Sequence, residues 1–555
     1  MGSEFTRRTF FGTVAATGAA LTAHTEELES TRPAAAGSPA KRSRDAYNIR
    51  VDAARFQRDQ PIPAHRTNGD ESLYASKVGS YTKGLPHDGS GQVDLKAFDA
   101  FTQALSNGSQ AELDQVPMGA STPSQQRKFV NPCCGIDFNL QGADSHHMSV
   151  GPAPAFASAE TAGEMVELYW AALARDVPFT QYAVSGLTQA AADDISQLSD
   201  FRGPKANGKV TTATLFRGFT AGDAVGPYIS QFLLKPVPFG AEYVEHRMHT
   251  LLPGYDYLMN YQDWLNAQNG NKPTQSARFD STRRFIRNGR DLAQWVHVDV
   301  LYQAYFNAML ILLQPPDPSD ALIGGGIGAP LNPGNPYLKS LTQEGFGTFG
   351  APGIAAAVAD IATNALKAVW YQKWFVHRRL RPEAYGGAVH LTLTKSQSYP
   401  VHSDLTNSSV LGRLHGITQS YLLPAAFPEG SPLHPSYGAG HATVAGACVT
   451  MLKALFDESY PVTNPVVASD DGTTLVPYTG SDAGALTVGG ELNKLASNVA
   501  IGRNIAGVHW RSDYTESLQL GETVAIGVLR DQKLTYGEAF DGYQFTRFDG
   551  TKITV

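Results

Sequence analysis

Apolar residues recur every three or four positions through seven segments of this 555-residue chain, and that spacing constrains its fold most strongly. It places an apolar stripe along one face of a helix, and such a stripe has to be buried against another element. The predicted helices cover residues 162–176, 226–234, 289–313, 353–381, 441–457, 492–507 and 513–534. The best strand pattern is the C-terminal hairpin 545–555, with Asp549-Gly550 at its turn. The sequence therefore predicts a mainly α fold built from packed helical bundles.

The N-terminal residues differ in character from the rest. Residues 1–45 read as a short cloning scar, an Arg7-Arg8 segment typical of twin-arginine export signals, and a disordered linker over 24–45. Residues 46–555 are expected to form one large helical domain. Three stretches rich in Pro, Gly and Ser are predicted loops, namely 315–352, 383–433 and 458–488.

Charge and cysteine content narrow the class of protein. A net charge of -7 excludes a broad cationic surface for nucleic acid, so an anion site has to be a local cluster of Arg and Lys. No window carries 18 uninterrupted apolar residues, so no membrane span is predicted. The three cysteines, Cys133, Cys134 and Cys448, lack metal-ligand spacing. The vicinal pair is interpreted as two ordinary thiols, with an intersubunit bridge as the alternative.

The first segment that carries chemistry is "KWFVHRRLRPE". Lys373, His377 and Arg381 are spaced four apart, which predicts one row on a helical face. Pro382 is expected to end that helix, so that Arg381 lies at a bend and turns inward. The two remaining arginines are interpreted as a solvated basic face; they are Arg378 and Arg379.

The second segment is "HPSYGAGHATVAGACV", where a helix is predicted to begin at His441. The first N–H groups of a helix have no intrahelical partner, and the helix dipole favours an anion at that end. Gly440 would let an oxyanion approach the backbone closely. His441 could donate to that anion or transfer a proton, and His434 lies seven residues upstream.

The third segment is "AIGRNIAGVHWRSD". Arg503 at a helix end and His509 can converge after Gly507 reverses the chain. Asp513 can then hold one imidazole nitrogen of His509 and fix its tautomer. Taken together, the three segments supply two arginines, a lysine, helix-start amides and histidines, which is an oxyanion cage with one nitrogen donor.

These segments, with "LAQWVHVDVLYQAYFNA" and "LTYGEAFDGYQFTRFDGT", resemble the vanadium-dependent haloperoxidases, especially the red-algal bromoperoxidases and their cyanobacterial relatives. The likeness covers most of residues 45–555 and implies a core of two four-helix bundles. It implies that vanadate is bound through His509. It further implies that the equatorial oxygens are held by Lys373, Arg381, Arg503 and the amide of Gly440.

Three further roles follow from the resemblance. His441 is expected to bond the apical oxygen and assist peroxide deprotonation, and His434 to line the halide side of the pocket. Asp299 is expected to support Arg381 or Lys373.

The implied activity is oxidation of bromide and iodide by hydrogen peroxide to hypohalous acid, which halogenates small organic acceptors. Family members form large homo-oligomers, commonly dodecamers built from dimers. A phosphatase of the same superfamily, with His509 as nucleophile, is the alternative. The eight-residue spacing from Lys373 to Arg381 and the presence of His434 favour the haloperoxidase. A non-catalytic oxyanion-binding protein is the third reading.

The chain departs from the family pattern at three places. Ala439 stands where family members usually have serine, which removes a hydroxyl donor to vanadate. Trp370 stands where red-algal members have arginine, which leaves the halide preference open. The loop over residues 334–345, which corresponds to a calcium site in red-algal members, keeps Gln343 but no matching aspartate, so calcium is not predicted.

Overall fold

The computed structural model describes residues 38–316 and 326–555 and is mainly helical. Its α-helices are α1 Pro39–Asp59, α2 Asp70–Leu73, α3 Leu95–Asn107, α4 Gln110–Leu113, α5 Ala159–Leu173, α6 Gly186–Ile195, α7 Tyr261–Gln268, α8 Gly289–Val298, α9 Gln303–Leu313, α10 Ala351–Tyr371, α11 Pro382–Leu393, α12 Ser403–Thr406, α13 Ser409–Thr418, α14 Gly440–Leu455, α15 Val488–Ile505 and α16 Arg511–Lys533.

The strands are short and pair only as two-stranded antiparallel ribbons within the described part of the chain. They are β1 Val237–Phe239, β2 Glu242–Val244, β3 Met248–Leu251, β4 Phe279–Arg284, β5 Val466–Ala468, β6 Leu475–Pro477, β7 Gln544–Thr546 and β8 Lys552–Thr554. The last pair is the predicted C-terminal hairpin.

Helix α14 forms the centre of the core, packed against α10, α15 and α16. All its residues are buried except His441. Two glycines permit the close approach of α14 and α16. A Cβ atom at Gly446 would overlap the Leu518 carbonyl oxygen, and one at Gly521 would overlap that of Thr443. Small residues at this crossing therefore fix the distance between the two helices that frame the site.

The predicted helices over 162–176, 441–457, 492–507 and 513–534 are confirmed within a few residues. The predicted helix over 226–234 is wrong, because that segment contains only a 3₁₀ turn, Gln231–Leu233. Side chains of α15 satisfy its backbone: the Ser230 N–H donates to Asn498 Oδ1 at 2.8 Å, and the Gln231 N–H donates to Glu491 Oε2 at 2.8 Å. These long-range bonds take the place of the backbone hydrogen bonds that a helix would form.

The single helix predicted over 289–313 is two helices, α8 and α9, bent by 101°. Asp299 ends α8 with an extended backbone, φ −62° and ψ 146°. Among the described residues no single helix is long and apolar enough to cross a membrane, and this bent pair passes that test only jointly.

Two predictions of irregular structure are also wrong. The predicted loop over 383–433 contains most of α11 and all of α12 and α13. The predicted linker over 24–45 is helical from Pro39 onward with Ser38 as its N-cap, while residues 24–37 lie outside the described ranges. Cys133 and Cys134 are half-buried free thiols in a 3₁₀ turn, and Cys448 is a buried one.

Candidate oxyanion site

Lys373 and Arg381 come from an irregular passage between two helices. Helix α10 ends at Tyr371 and continues as a π-helical turn, Gln372–His377. Arg378 is then left-handed, and Pro382 begins α11 at its first position, where its missing N–H costs nothing. The prediction that Pro382 ends a helix carrying Lys373, His377 and Arg381 in one row is therefore wrong. Arg381 is nevertheless turned inward and is 1% exposed.

Arg381 and His509 meet in the interior. Arg381 Nη1 lies 3.0 Å from His509 Nε2 and donates to the Val508 carbonyl at 2.7 Å. Its Nη2 lies 2.9 Å from His434 Nδ1. Residues predicted from two distant segments thus share one buried guanidinium, and Gly507, where the chain was predicted to reverse, has a left-handed φ of +82°.

Lys373 is fully buried beside them. Its ammonium donates to the carbonyls of Pro435 at 2.9 Å and Ser436 at 3.1 Å, and also to that of Gly438. These bonds attach Lys373 to the loop that leads into α14. The ammonium also lies 5.5 Å from the centre of the Trp370 ring.

Arg503, near the end of α15, completes the set of cations. Its Nη1 donates to the Val296 carbonyl at 2.8 Å, and its guanidinium lies 5.9 Å from the centre of the Phe427 ring. Its Nε is buried without a hydrogen-bond partner among the described residues. A buried donor left unpaired costs free energy, so a ligand acceptor would stabilise this arginine.

The electrostatics of the cluster favour an anion. Burial, followed by the charge of Arg381, lowers the pKa of Lys373 well below its usual value, although Asp513 opposes this. Burial lowers the pKa of Arg381 and of Arg503 to about 10 each. Burial and the three nearby cations lower the pKa of His509 as well. Each shift has desolvation as its largest cause, and a bound anion would offset the repulsion among the cations.

His509 has one nitrogen committed to the protein. Its Nδ1 lies 2.7 Å from Asp513 Oδ2, as the four-residue spacing predicts. Asp513 Oδ2 also accepts the Trp510 N–H at 3.2 Å and the Ser436 hydroxyl. A carboxylate at Nδ1 favours the tautomer that carries its proton there, so the Nε2 lone pair, which accepts from Arg381 Nη1, is the one that a ligand would take.

His441 is the accessible histidine of the site, with a side chain 20% exposed, whereas that of His509 is 2% exposed. Its Nε2 lies 3.0 Å from Asp299 Oδ1. Burial raises the pKa of Asp299, but the charge and hydrogen bond of His441, the charge of Arg503 and a backbone hydrogen bond together lower it overall. The expectation that Asp299 supports Arg381 or Lys373 is wrong, because the break between α8 and α9 directs its carboxylate to His441.

The remaining predicted residues surround the first turn of α14. Trp370 and His434 pack with ring centres 5.0 Å apart. A Cβ atom at Gly440 would lie 3.0 Å from Trp370 Cζ3, so glycine accommodates the tryptophan as well as freeing the helix start. Ala439 is the N-cap of α14 and supplies no side-chain cap, while its own N–H donates to Ser517 Oγ at 2.8 Å.

Sequence reasoning missed Ser436 and Arg379. Ser436 donates to Asp513, and Arg379, interpreted above as solvated, is 2% exposed and paired with Glu164 and Asp513. Its neighbour Arg378 is partly exposed and paired with Glu71. Local spacing carries no information that separates the two arginines, because their partners lie more than 100 residues away in the chain.

Fold and site together define a helical-bundle protein with a buried cationic oxyanion site centred on one histidine. A family model described as the second helical-bundle domain of VCPO matches residues 354–535. Vanadium-dependent bromoperoxidases of Corallina pilulifera and Ascophyllum nodosum are each 36% identical to the chain; the matches cover 93% of this chain in both cases, and 98% and 93% of those relatives.

A solved structure of a vanadate-dependent bromoperoxidase also matches this chain. The homohexameric second vanadate-dependent bromoperoxidase of Ascophyllum nodosum matches with a TM-score of 0.85 and 32% identity, over 97% of this chain and 95% of that one. The chain belongs to the vanadium-dependent bromoperoxidases. The family resemblance stated from the sequence and the mainly α fold are both confirmed.

Proposed function

We propose that this protein binds vanadate at His509 and oxidises bromide and iodide with hydrogen peroxide to hypohalous acid, which halogenates small organic acceptors. One observation carries the proposal. The Nε2 of His509 faces a buried cluster of three cations, Lys373, Arg381 and Arg503, while Asp513 holds its Nδ1.

The donor set suits an oxyanion better than a bare metal ion. No group of three or more His, Cys, Asp or Glu side chains that could hold a metal ion occurs among the described residues. The site instead offers one imidazole nitrogen among cations, including the Nε of Arg503, which has no hydrogen-bond partner in the part of the chain that the structure describes. Vanadate oxygens would accept hydrogen bonds from those cations, and one histidine would supply the nitrogen ligand.

When bound, vanadate supplies a vanadium(V) Lewis acid that activates peroxide for attack by halide without changing its own oxidation state. The protein's side chains neutralise the negative charge of the bound anion and transfer protons. The negative charge of the bound anion would be held by Lys373, Arg381 and Arg503. These cations are buried, and electrostatic interactions are stronger in a buried site than in water.

His441 is proposed as the proton-transfer group. Asp299 fixes its Nε2 at 3.0 Å and leaves Nδ1 as the nitrogen that can accept a proton from peroxide. His434 and Trp370 are proposed to form the wall against which the halide lies. Their packed rings present an apolar surface next to the Arg381 guanidinium.

The test is reconstitution. Protein stripped of bound anions is supplied with orthovanadate, and bromination of a phenol is followed with peroxide and bromide. Bromination that depends on added vanadate is expected. Absence of bromination together with metal-independent hydrolysis of a phosphomonoester would establish the phosphatase alternative, since phosphate would occupy the same cations with His509 as nucleophile.

We further propose that the protein is a homo-oligomer, as the homohexameric relative is. Large apolar side chains are exposed beside the half-buried cysteines of the 3₁₀ turn at 132–136, namely Ile136, Phe138 and Leu140. Light scattering should give a multiple of the 59.5 kDa chain mass, with the dodecamer as the expectation from the family resemblance. A single domain over 46–555 and export directed by Arg7-Arg8 remain proposals.

A further inference from the structure

Arg379 is enclosed between two carboxylates near the site. Its Nη2 donates to Glu164 Oε2 at 2.9 Å, and its Nη1 donates to Asp513 Oδ1 at 3.1 Å and to Ser512 Oγ at 2.8 Å. The guanidinium also lies over the Trp510 ring, 4.5 Å from its centre. A planar group held on three sides in this way has little freedom to rotate.

The two carboxylate oxygens of Asp513 accept hydrogen bonds from different partners. Oδ2 accepts from the His509 imidazole, the Trp510 N–H and the Ser436 hydroxyl, whereas Oδ1 accepts from Arg379. Rotation of the carboxylate would break the bonds on both sides at once. Arg379 therefore holds the face of Asp513 that is turned away from His509.

Glu164 anchors this arrangement from a different part of the chain. It lies in α5, outside the matched residues 354–535, and it is 4% exposed. Its Oε1 accepts the backbone N–H of Ser512, the residue before Asp513. Glu164 thus fixes both the Arg379 guanidinium and the backbone that carries Asp513.

We propose that Arg379, held by Glu164, is a positioning residue for His509: it locks Asp513 against Nδ1, so that Nε2 presents its lone pair to vanadium. The proposal rests on the proposed function. It assigns to the N-terminal half of the chain a part in setting the metal-ligand geometry. Residues that orient a metal-binding histidine through its second nitrogen commonly control metal affinity.

The test compares two oxyanions of the same shape. Orthovanadate gains a coordinate bond from the histidine nitrogen, whereas inorganic phosphate is held by charge and hydrogen bonds alone. Arg379→Lys keeps the buried charge but cannot reach both carboxylates in the same geometry. We expect the vanadate dissociation constant of the full-length protein to rise about 10- to 100-fold, and that of phosphate to stay near the wild-type value.

The same binding comparison needs a control variant and a second test variant. Arg378→Lys is the matched control, since Arg378 is the neighbouring residue but pairs with Glu71, and both dissociation constants should be unchanged. Glu164→Gln keeps the shape of the anchor and removes its charge. It should weaken vanadate binding less than Arg379→Lys does, again with phosphate spared.

Equal losses of vanadate and phosphate affinity in Arg379→Lys and Glu164→Gln would overturn the proposal, because they would reveal a general disturbance of the site. Wild-type vanadate affinity in Arg379→Lys would overturn it as well. Failure of the wild-type protein to bind vanadate would instead reject the proposed function, so the two failures are distinguishable.

Discussion

At the scale of single residues, Ala439 is the site position at which the family resemblance predicts a serine. It caps α14 without a side-chain oxygen, and its amide is bonded to Ser517. A serine hydroxyl at an N-cap accepts from the N–H groups of the first helical turn and can donate its own proton to an anion at the helix start. The alanine provides neither interaction.

Ala439→Ser is therefore expected to raise both the stability of the protein and its affinity for vanadate. The cap should add about 1 kcal/mol to the free energy of unfolding. A hydrogen bond to a charged oxygen, worth roughly 1.5–3 kcal/mol, should tighten vanadate binding about 10- to 150-fold. Chemical denaturation and vanadate titration measure the two effects. Ala442→Ser, within the first turn of the same helix, is the control and should leave vanadate affinity unchanged; equal affinity in both variants would contradict the role assigned to position 439.

Sequence alone predicted which residues carry the cationic cluster, because Lys373, Arg381, Arg503 and His509 lie in motifs whose family likeness is strong. It failed for Asp299 and Arg379. Their partners, His441 and Glu164, lie 142 and 215 residues away in the chain. Local spacing cannot encode such pairings, since they depend on how the helices pack.

At the scale of elements, the pattern of apolar residues predicted helices but not their interruptions. Asp299 ends α8 to reach His441, and the π turn after α10 gives way to the left-handed Arg378 before Arg381 enters the site. In both places the backbone leaves regular geometry to deliver a functional side chain. A periodicity of 3.6 residues cannot reveal such breaks, because the apolar positions continue on both sides of them.

The crossing of α14 and α16 gives a prediction at this scale. Gly446→Ala would place a methyl group against the Leu518 carbonyl, so the helices must separate. The free energy of unfolding should fall by about 1–3 kcal/mol, as is typical of overpacked cores.

The control is Gly412→Ala in α13, where a Cβ atom meets nothing within 4 Å. There the better helix propensity of alanine should raise stability by roughly 0.5–1 kcal/mol. Denaturant unfolding of both variants measures the difference. A Gly446→Ala protein as stable as wild type would contradict the assigned packing.

At the scale of the whole molecule, the fold class followed from helical periodicity over much of the chain. Such a pattern requires buried helix faces whatever the order of packing. The predicted loop over 383–433 was wrong because its prolines lie between or after α11, α12 and α13, while Gly386 and Gly387 are buried within α11, where a Cβ atom at Gly387 would overlap the Trp264 ring. Composition averaged over a long window conceals such short helices.

Buried histidines make stability depend on pH. Burial lowers the pKa of His246 to about 4 from its ordinary value of 6.5. As pH falls from 6.5 to 4, the unfolded chain binds a proton at this residue and the folded protein does not. His246 therefore lowers the free energy of unfolding as pH falls from 6.5 to 4. Above pH 6.5 it has no effect on that free energy.

His246→Gln should abolish this contribution. Relative to the variant, the wild-type protein should lose about 1.4 kcal/mol of unfolding free energy for each pH unit between about 6.5 and 4. Denaturant unfolding at several pH values measures the difference, with pH 8 as the baseline. A difference that stays constant with pH would show that His246 titrates alike in both states.

The central claim is that one vanadate binds each chain through His509 within the cluster of Lys373, Arg381 and Arg503. Equilibrium dialysis of the stripped protein against orthovanadate, with vanadium counted per chain, tests it most directly. Wild-type protein should bind one vanadium per chain, and His509→Ala should lose this tight site while still binding phosphate through the three cations. Undiminished vanadium binding in His509→Ala would contradict the claim.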